Sequence, residues 1–244
     1  MLINVVNGNT TDSMTRTIGA AAEKVARAGT RIRAVSSAFG PPSIEGAYDD
    51  AFAVPGLLVR ISEGEAEGAA AHVIACFDDT GLDAARALAM RPVIGIGEAA
   101  YHAAMYIAHR FSVITTLSRS VPVIENNLLR YGFDRRCARV RATDIPVLAL
   151  EDPKSGARQK IGNEIERALS DDHAEAIVLG CAGMADLAAS LSEEYQVPVI
   201  DGVAAAITQA EAMAQLGITT SKRGGYASPG AKRFSGPLAD FSPR

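Results

Sequence analysis

Cysteine is scarce in this 244-residue chain, with only Cys76, Cys137 and Cys181. No C-x-x-C, H-x-x-x-H or H-E-x-x-H spacing occurs, so the usual metal-ligand patterns are missing. An odd, low count suits free thiols in a reducing cytoplasm rather than a disulfide framework. No G-x-x-x-x-G-K-[ST] phosphate loop is present. No G-x-G-x-x-G follows the first apolar run, where Val6-Asn-Gly-Asn-Thr-Thr-Asp-Ser13 stands instead. No metal, nucleotide or flavin cofactor is therefore expected. No apolar run reaches the roughly 18 residues of a membrane span. The first strand pattern begins at Leu2, which leaves no room for a signal peptide. The net charge is −4 without any strongly basic block, which argues against nucleic acid as a partner.

Hydrophobic residues make up 48% of the chain, enough for one large α/β domain or two small ones. Near-continuous apolar runs predict strands at Leu2–Val6, Arg31–Val35, Val73–Cys76, Val93–Ile96, Ser112–Thr115, Arg139–Arg141, Ala176–Leu179 and Val197–Ile200. Amphipathic stretches predict helices near 13–28, 49–67, 82–90, 98–109, 121–131, 155–169, 184–194 and 202–215. Asp12 or Ser13, Asp49, Ser120 and Ser155 are the expected N-caps. Alternation of this kind predicts an α/β fold with mostly parallel sheets covered by helices on both faces.

The order of elements repeats, first from Leu2 to about His109 and again from Phe111 to about Gly217. Ala-His-Val-Ile-Ala-Cys76 matches Ala-Ile-Val-Leu-Gly-Cys181, and a helix and a Pro-Val-Ile strand follow each. Pro92 lies 16 residues after Cys76, and Pro198 lies 17 after Cys181. Two similar lobes related by a pseudo-two-fold axis would place both cysteines at strand carboxyl ends, where open parallel sheets bind ligands. The thiols would then meet across one cleft.

Two similar acid–base groups on opposed faces of a carbon can invert it, because each enantiomer only exchanges their roles. A thiol with an ordinary pKa near 8.5 suits that work, and a strand end leading into a helix can lower it. The expected resting pair is one thiolate and one thiol. Cys76 is followed by Phe-Asp-Asp-Thr-Gly81 and Cys181 by Ala-Gly-Met-Ala185, so Cys181 is expected to be the more acidic. Asp79 or Thr80 can alternatively be read as a cap for the next helix. The backbone N–H groups of Phe77 and of Ala182 to Gly183 are candidates for binding an enolate oxygen. Asn7, Thr115 and Thr116 could add side-chain hydrogen bonds. The Gly40-Pro-Pro-Ser-Ile-Glu-Gly46 loop could close over the cleft and bring Ile44 to a substrate.

Other residues carry blander readings. Cys137 has no counterpart in the repeat. His102 and His109 share one helix face, His72 starts a strand, His173 sits in a polar turn, and Glu98 opens a helix where the dipole favours a carboxylate. Arg130, Arg135, Arg136, Arg139 and Arg141 read as a solvated face or part of a subunit contact. The segment from Gly224 to Pro243, rich in Gly, Pro and Ser, reads as a surface tail.

Several segments together resemble the aspartate/glutamate racemase superfamily, and within it the hydantoin racemase branch, close to allantoin racemase. They are Asn7-Gly-Asn-Thr10, Gly40 to Tyr48, Ala75-Cys-Phe-Asp-Asp-Thr-Gly-Leu82, Pro92-Val-Ile-Gly-Ile-Gly-Glu98, Val113-Ile-Thr-Thr116, Leu179-Gly-Cys-Ala-Gly-Met184 and Lys222-Arg-Gly-Gly-Tyr226. Gly8 departs from the pattern, where relatives often have proline, which loosens that loop. The resemblance implies cofactor-free two-base chemistry by Cys76 and Cys181, homo-oligomers, and a first lobe completed by the C-terminal helix. That gives lobes of 1–97 plus 207–244 and of 98–206. It also implies a hydantoin-like ring as substrate, which agrees with the shortage of cations in the matched segments. Allantoin, an amino acid, or a decarboxylase or isomerase substrate are the alternatives on this scaffold. A decarboxylase would need only one cysteine. A non-catalytic two-lobed binding protein would depend on neither.

Overall fold

The computed structural model describes residues 1–152 and 154–243. Among these, eight strands form two four-stranded sheets. The first sheet contains β1 (Leu2–Asn7), β2 (Arg31–Ser36), β3 (Ala71–Ile74) and β4 (Val93–Gly95) in the order β2-β1-β3-β4. The second contains β5 (Phe111–Thr115), β6 (Cys137–Ala142), β7 (Ala176–Gly180) and β8 (Val199–Asp201) in the order β6-β5-β7-β8. All six pairings are parallel, and the second order repeats the first. In each sheet the connection direction reverses between the two central strands. The crevice at such a switch point is the natural ligand site of a parallel sheet. It falls beyond Asn7 and Ile74 in one sheet and beyond Thr115 and Gly180 in the other.

The helices are α1 (Asp12–Val25), α2 (Ala47–Ala66), α3 (Leu82–Leu88), α4 (Ile96–Ile107), α5 (Val121–Tyr131), α6 (Ala157–Ser170), α7 (Ala188–Tyr195) and α8 (Gly202–Gln215). Two of them fasten the sheets together. Helix α4 follows β4 but packs on β7, and α8 follows β8 but packs on β3 and α1. Their contact faces are alanine-rich, with Ala99, Ala100, Ala104, Ala206 and Ala210 fully buried. Side chains this small let the helix axes approach closely. Gly202 is required at the crossing, since a Cβ there would stand 2.6 Å from the Ile96 carbonyl oxygen. Val5, Val73 and Phe77 from the first lobe therefore share one core with Phe111, Val113 and Val178 from the second. Buried Glu211 fixes α8 to the end of α1 by accepting from the Arg27 amide at 2.9 Å and the Thr30 hydroxyl at 2.6 Å.

Several local expectations change. Gly46, Gly156 and Thr11, rather than the expected side chains, occupy three N-cap positions, and Ser120 caps α5 without a side-chain hydrogen bond. Among the described helices the N-cap residue that caps with its own side chain is Asp201, which accepts from the amides of Val203 and Ala204. His109 lies beyond the end of α4, so it shares no helix face with His102. Arg141 is no solvated side chain. It is 5% exposed and bound to Asp172 at 2.6 and 2.7 Å, with Glu164 beside it. Those carboxylates come from and just after α6, which covers the strand. His72 is fully buried between Asn4 and Glu65. Burial lowers its pKa, and it is held away from the crevice as a core residue.

Candidate active site

Cys76 and Cys181 line one cleft, together with Asn7, Ile44, Phe77, Thr115, Thr116 and Ala182. Asn9, Met14, Asp78, Ser120 and Val147 also line it, although the sequence reads Asp78 only as a charge beside Cys76 and Ser120 only as a helix cap. Both cysteines follow the carboxyl end of a central strand, Cys76 two residues beyond β3 and Cys181 directly after β7. Cys137 starts β6 and stands apart from the cleft.

The loop after β1 is firmly held despite Gly8. The Asn7 amide donates to Asn9 Oδ1 at 2.9 Å and Thr15 Oγ1 at 3.0 Å, and the Asn7 carbonyl oxygen Oδ1 accepts from the Asn9 amide. Gly8 itself makes space, since a Cβ there would meet Ile44 Cδ1 at 3.0 Å and Cys76 Cβ at 3.5 Å. Ile44 can therefore lie over the Cys76 side of the cleft. Its loop is fastened across the cleft, where Glu45 accepts from the Val147 amide at 2.9 Å.

Internal partners also engage some of the expected substrate donors. The Asn7 amide serves its own loop, and Thr115 Oγ1 donates to the Gly180 carbonyl at 3.1 Å. Thr116 and Ser120 present hydroxyls without a protein partner among the described residues. Gly183 is set behind the cleft wall, and its N–H points at the Cys181 sulfur. Cys76 accepts an N–H from Asp78 in the same way, so each sulfur is met by the amide two residues on. The amides of Phe77 and Ala182 have no backbone acceptor among the described residues.

Burial pushes both thiols upward, Cys181 to about 11 and Cys76 further. A thiolate–thiol pair is thus not the resting state of the open site, because desolvation outweighs the two amide donors. The order of the two agrees with the sequence expectation. Asp78 and Asp50 both raise Cys76, whereas Asp78 and Glu45 act on Cys181. Thr80 links Cys76 to Asp50: its Oγ1 lies 2.6 Å from Asp50 Oδ1 and 3.2 Å from Cys76 Sγ. A hydroxyl has one hydrogen, and the shorter, charged contact competes for it. The hydroxyl lowers the Cys76 pKa, but burial and the carboxylates outweigh it.

Asp79 and Thr80 do not cap α3, whose N-cap is Gly81 in the left-handed region at φ 68°. Asp79 instead caps α4 from a distance, accepting from the amides of Gly97 at 3.0 Å and Glu98 at 2.9 Å. Its carboxylate also accepts from the Tyr131 hydroxyl at 3.0 Å, and Asn127 donates to the Asp78 carbonyl at 2.8 Å. The turn after Cys76 is thereby anchored to α4 and α5. Gly95 and Gly97 leave room for the Asp79 carboxylate, since a Cβ on either would overlap it.

Among the described residues no three His, Cys, Asp or Glu side chains stand close enough together to hold a metal ion. No described helix is long and apolar enough to cross a membrane.

Two repeated parallel α/β sheets with a cysteine at each switch point define a two-lobed protein of the aspartate/glutamate racemase type. The model of the Asp/Glu/Hydantoin racemase family matches residues 3–210, and the chain belongs to that family. It is 51% identical over 236 residues to a hydantoin racemase of Rhizobium meliloti, covering 97% of this chain and 98% of that one. It is 46% identical over 242 residues to a hydantoin racemase of Pseudomonas sp. (strain NS671), covering 99% and 97%. Its fold superimposes on an allantoin racemase from Klebsiella pneumoniae with a TM-score of 0.97, at 49% identity and full coverage of both chains. The chain is a racemase, an isomerase acting on a small molecule.

Proposed function

We propose that the chain racemises 5-substituted hydantoins at C5, with Cys76 and Cys181 as acid and base on opposite faces of the ring. The observation that carries this reading is the pair of thiols from equivalent strand ends lining one cleft, with no Lys, Arg or His in its wall among the described residues. A neutral ring needs no cation, whereas a free amino-acid or malonate carboxylate would call for one or for a dedicated helix N-terminus.

In the forward direction one sulfur, as thiolate, removes the C5 proton. The electron pair passes into the adjacent C4 carbonyl to give an enolate. The facing thiol then delivers its proton to the other side of C5. The opposite enantiomer uses the same groups with their roles exchanged. The N–H groups of Phe77 and Ala182 suit the enolate oxygen, and the Thr116 hydroxyl can support them. Asn7, Thr115, Ile44 and Gly183 shape this machinery: the first three line the wall, and Gly183 donates to the Cys181 sulfur. The same reading takes no cofactor. It places the chain in a reducing cytoplasm, consistent with three free cysteines, and expects a homo-oligomer with the C-terminal segment completing the first lobe.

Allantoin is itself a hydantoin with a ureido group on C5. The similarity to the Klebsiella allantoin racemase keeps it as the second reading. The test follows optical rotation and deuterium incorporation at C5 for several enantiopure hydantoins and allantoin in D₂O. Loss of rotation with one deuterium per turnover is the expected result, and the fastest ring identifies the substrate. Absence of exchange on every ring refutes the proposal.

A further inference from the structure

Among the described residues, Asp78 is the one ionisable side chain in the cleft wall besides the two thiols. Its backbone is pinned, because Asn127 holds its carbonyl and the neighbouring Asp79 is held by two amides and Tyr131. Its carboxyl, by contrast, receives no hydrogen bond from any side chain or amide among the described residues. Its nearby charge is Asp50, of the same sign, and burial with Asp50 pushes the Asp78 carboxyl up to about 7. It lines the same cleft as both sulfurs, and its charge raises each of them. Half-buried in the wall and without a protein donor among the described residues, the carboxyl is free to pair with a group that enters the cleft. The other polar side chains at this wall are the hydroxyls of Thr115, Thr116 and Ser120 and the carboxamides of Asn7 and Asn9, whose oxygens already accept hydrogen bonds within their own loop. Among the described residues, the strong side-chain acceptor left without a partner in this wall is Asp78.

We propose that Asp78 is a specificity-determining residue that accepts a hydrogen bond from a ring N–H of the substrate. This deepens the assignment of a hydantoin-like ring and rests on it. A hydantoin carries N–H groups at N1 and N3 flanking its carbonyls, so a cleft reading the ring needs an acceptor as well as donors. The carboxyl can accept whether ionised or neutral, through either oxygen in the first case and its carbonyl oxygen in the second. A substrate that brings its own carboxylate to the same place meets repulsion instead.

The test compares the wild type with Asp78→Ala and Asp78→Asn, using 5-methylhydantoin and its N1-methyl and N3-methyl derivatives. Loss of a hydrogen bond to a charged acceptor is expected to lower kcat/KM for the parent ring about 10- to 100-fold in Asp78→Ala, mainly through KM. Asp78→Asn keeps an acceptor oxygen and should recover part of the loss. One N-methyl derivative should be a poor substrate for the wild type and lose nothing further in Asp78→Ala, which identifies the nitrogen that is read. Equal losses for the parent ring and both derivatives would overturn the proposal, because a purely structural residue affects all three alike. If the wild type racemises none of the rings, the functional assignment fails. If the wild type is active and this pattern is missing, Asp78 alone fails.

Discussion

The ends of β3 and β7 have the same backbone design and different surroundings. At each, a cysteine follows a buried central strand, its sulfur takes an amide from two residues on, and an alanine-rich helix packs beneath. After Cys181 the chain continues through Ala-Gly-Met-Ala185 in a 3-10 helix at Ala182–Leu187, whose Asp186 lies outside the cleft lining. After Cys76 it presents Asp78 to the cleft, commits Asp79 to α4, and couples the sulfur through Thr80 to Asp50. Backbone repetition supplies two opposed thiols, and local carboxylates make them unequal. Under the proposed two-thiol mechanism both groups act in every turnover, so the inequality is tolerated. What it changes is which sulfur gives up its proton more readily.

The comparison is broken most severely by removing either sulfur. Cys76→Ala and Cys181→Ala should each lower racemisation by at least about 10³-fold with folding intact by circular dichroism, since each direction requires both groups. Next in size is Gly97→Ala, whose Cβ would stand 2.4 Å from the Phe77 carbonyl oxygen and 2.9 Å from the Asp79 carboxylate. It should cost about 1–3 kcal/mol in urea unfolding by displacing the turn after Cys76. Asp50→Asn sharpens the contrast instead. It removes a charge that raises Cys76 and is absent from the influences on Cys181. The pH profile of iodoacetamide alkylation should move down by up to about one unit for Cys76 and stay in place for Cys181.

The smallest expected effect is on stability. Asp78 and Asp79 are both raised to about 7 by burial, above their value in the unfolded chain. Between the unfolded and folded values the native state holds more protons, so these groups lower stability as pH rises from about 4 to about 7. Asp78→Asn should remove one share of that slope. Relative to wild type it should gain on the order of 1 kcal/mol more at pH 7 than at pH 5 in urea titrations, since contact with the open cleft moderates the penalty.

Much of the fold was legible because buried parallel strands read as short continuous apolar runs, and all eight appear near their expected places. The two cysteines stood out because the second half repeats the order of the first. The missed features depend on distant partners. Asp79 looks like a local cap, yet its acceptor role is fulfilled by the amides of Gly97 and Glu98, across the β4 connection. Arg141 lies among other arginines, and only the docking of α6 shows that it is buried in an ion-pair network. Met14 and Val147 reach the cleft from α1 and from the start of a short 3-10 helix, neither with a chemical signature. Asn9 and Ser120 carried a faint signal, since each follows the small polar residues that end the first strand of its lobe. The desolvation that pushes both thiols upward was invisible, because strand-end position alone predicts the opposite shift.

The most direct test of opposed thiols is isotopic analysis of the first few per cent of racemisation of one enantiopure hydantoin in D₂O. Two groups on opposite faces predict product that carries deuterium at C5 while unreacted substrate keeps its hydrogen, from either enantiomer. Equal deuterium in recovered substrate and product would mean that one group serves both faces, and would contradict the paired assignment of Cys76 and Cys181.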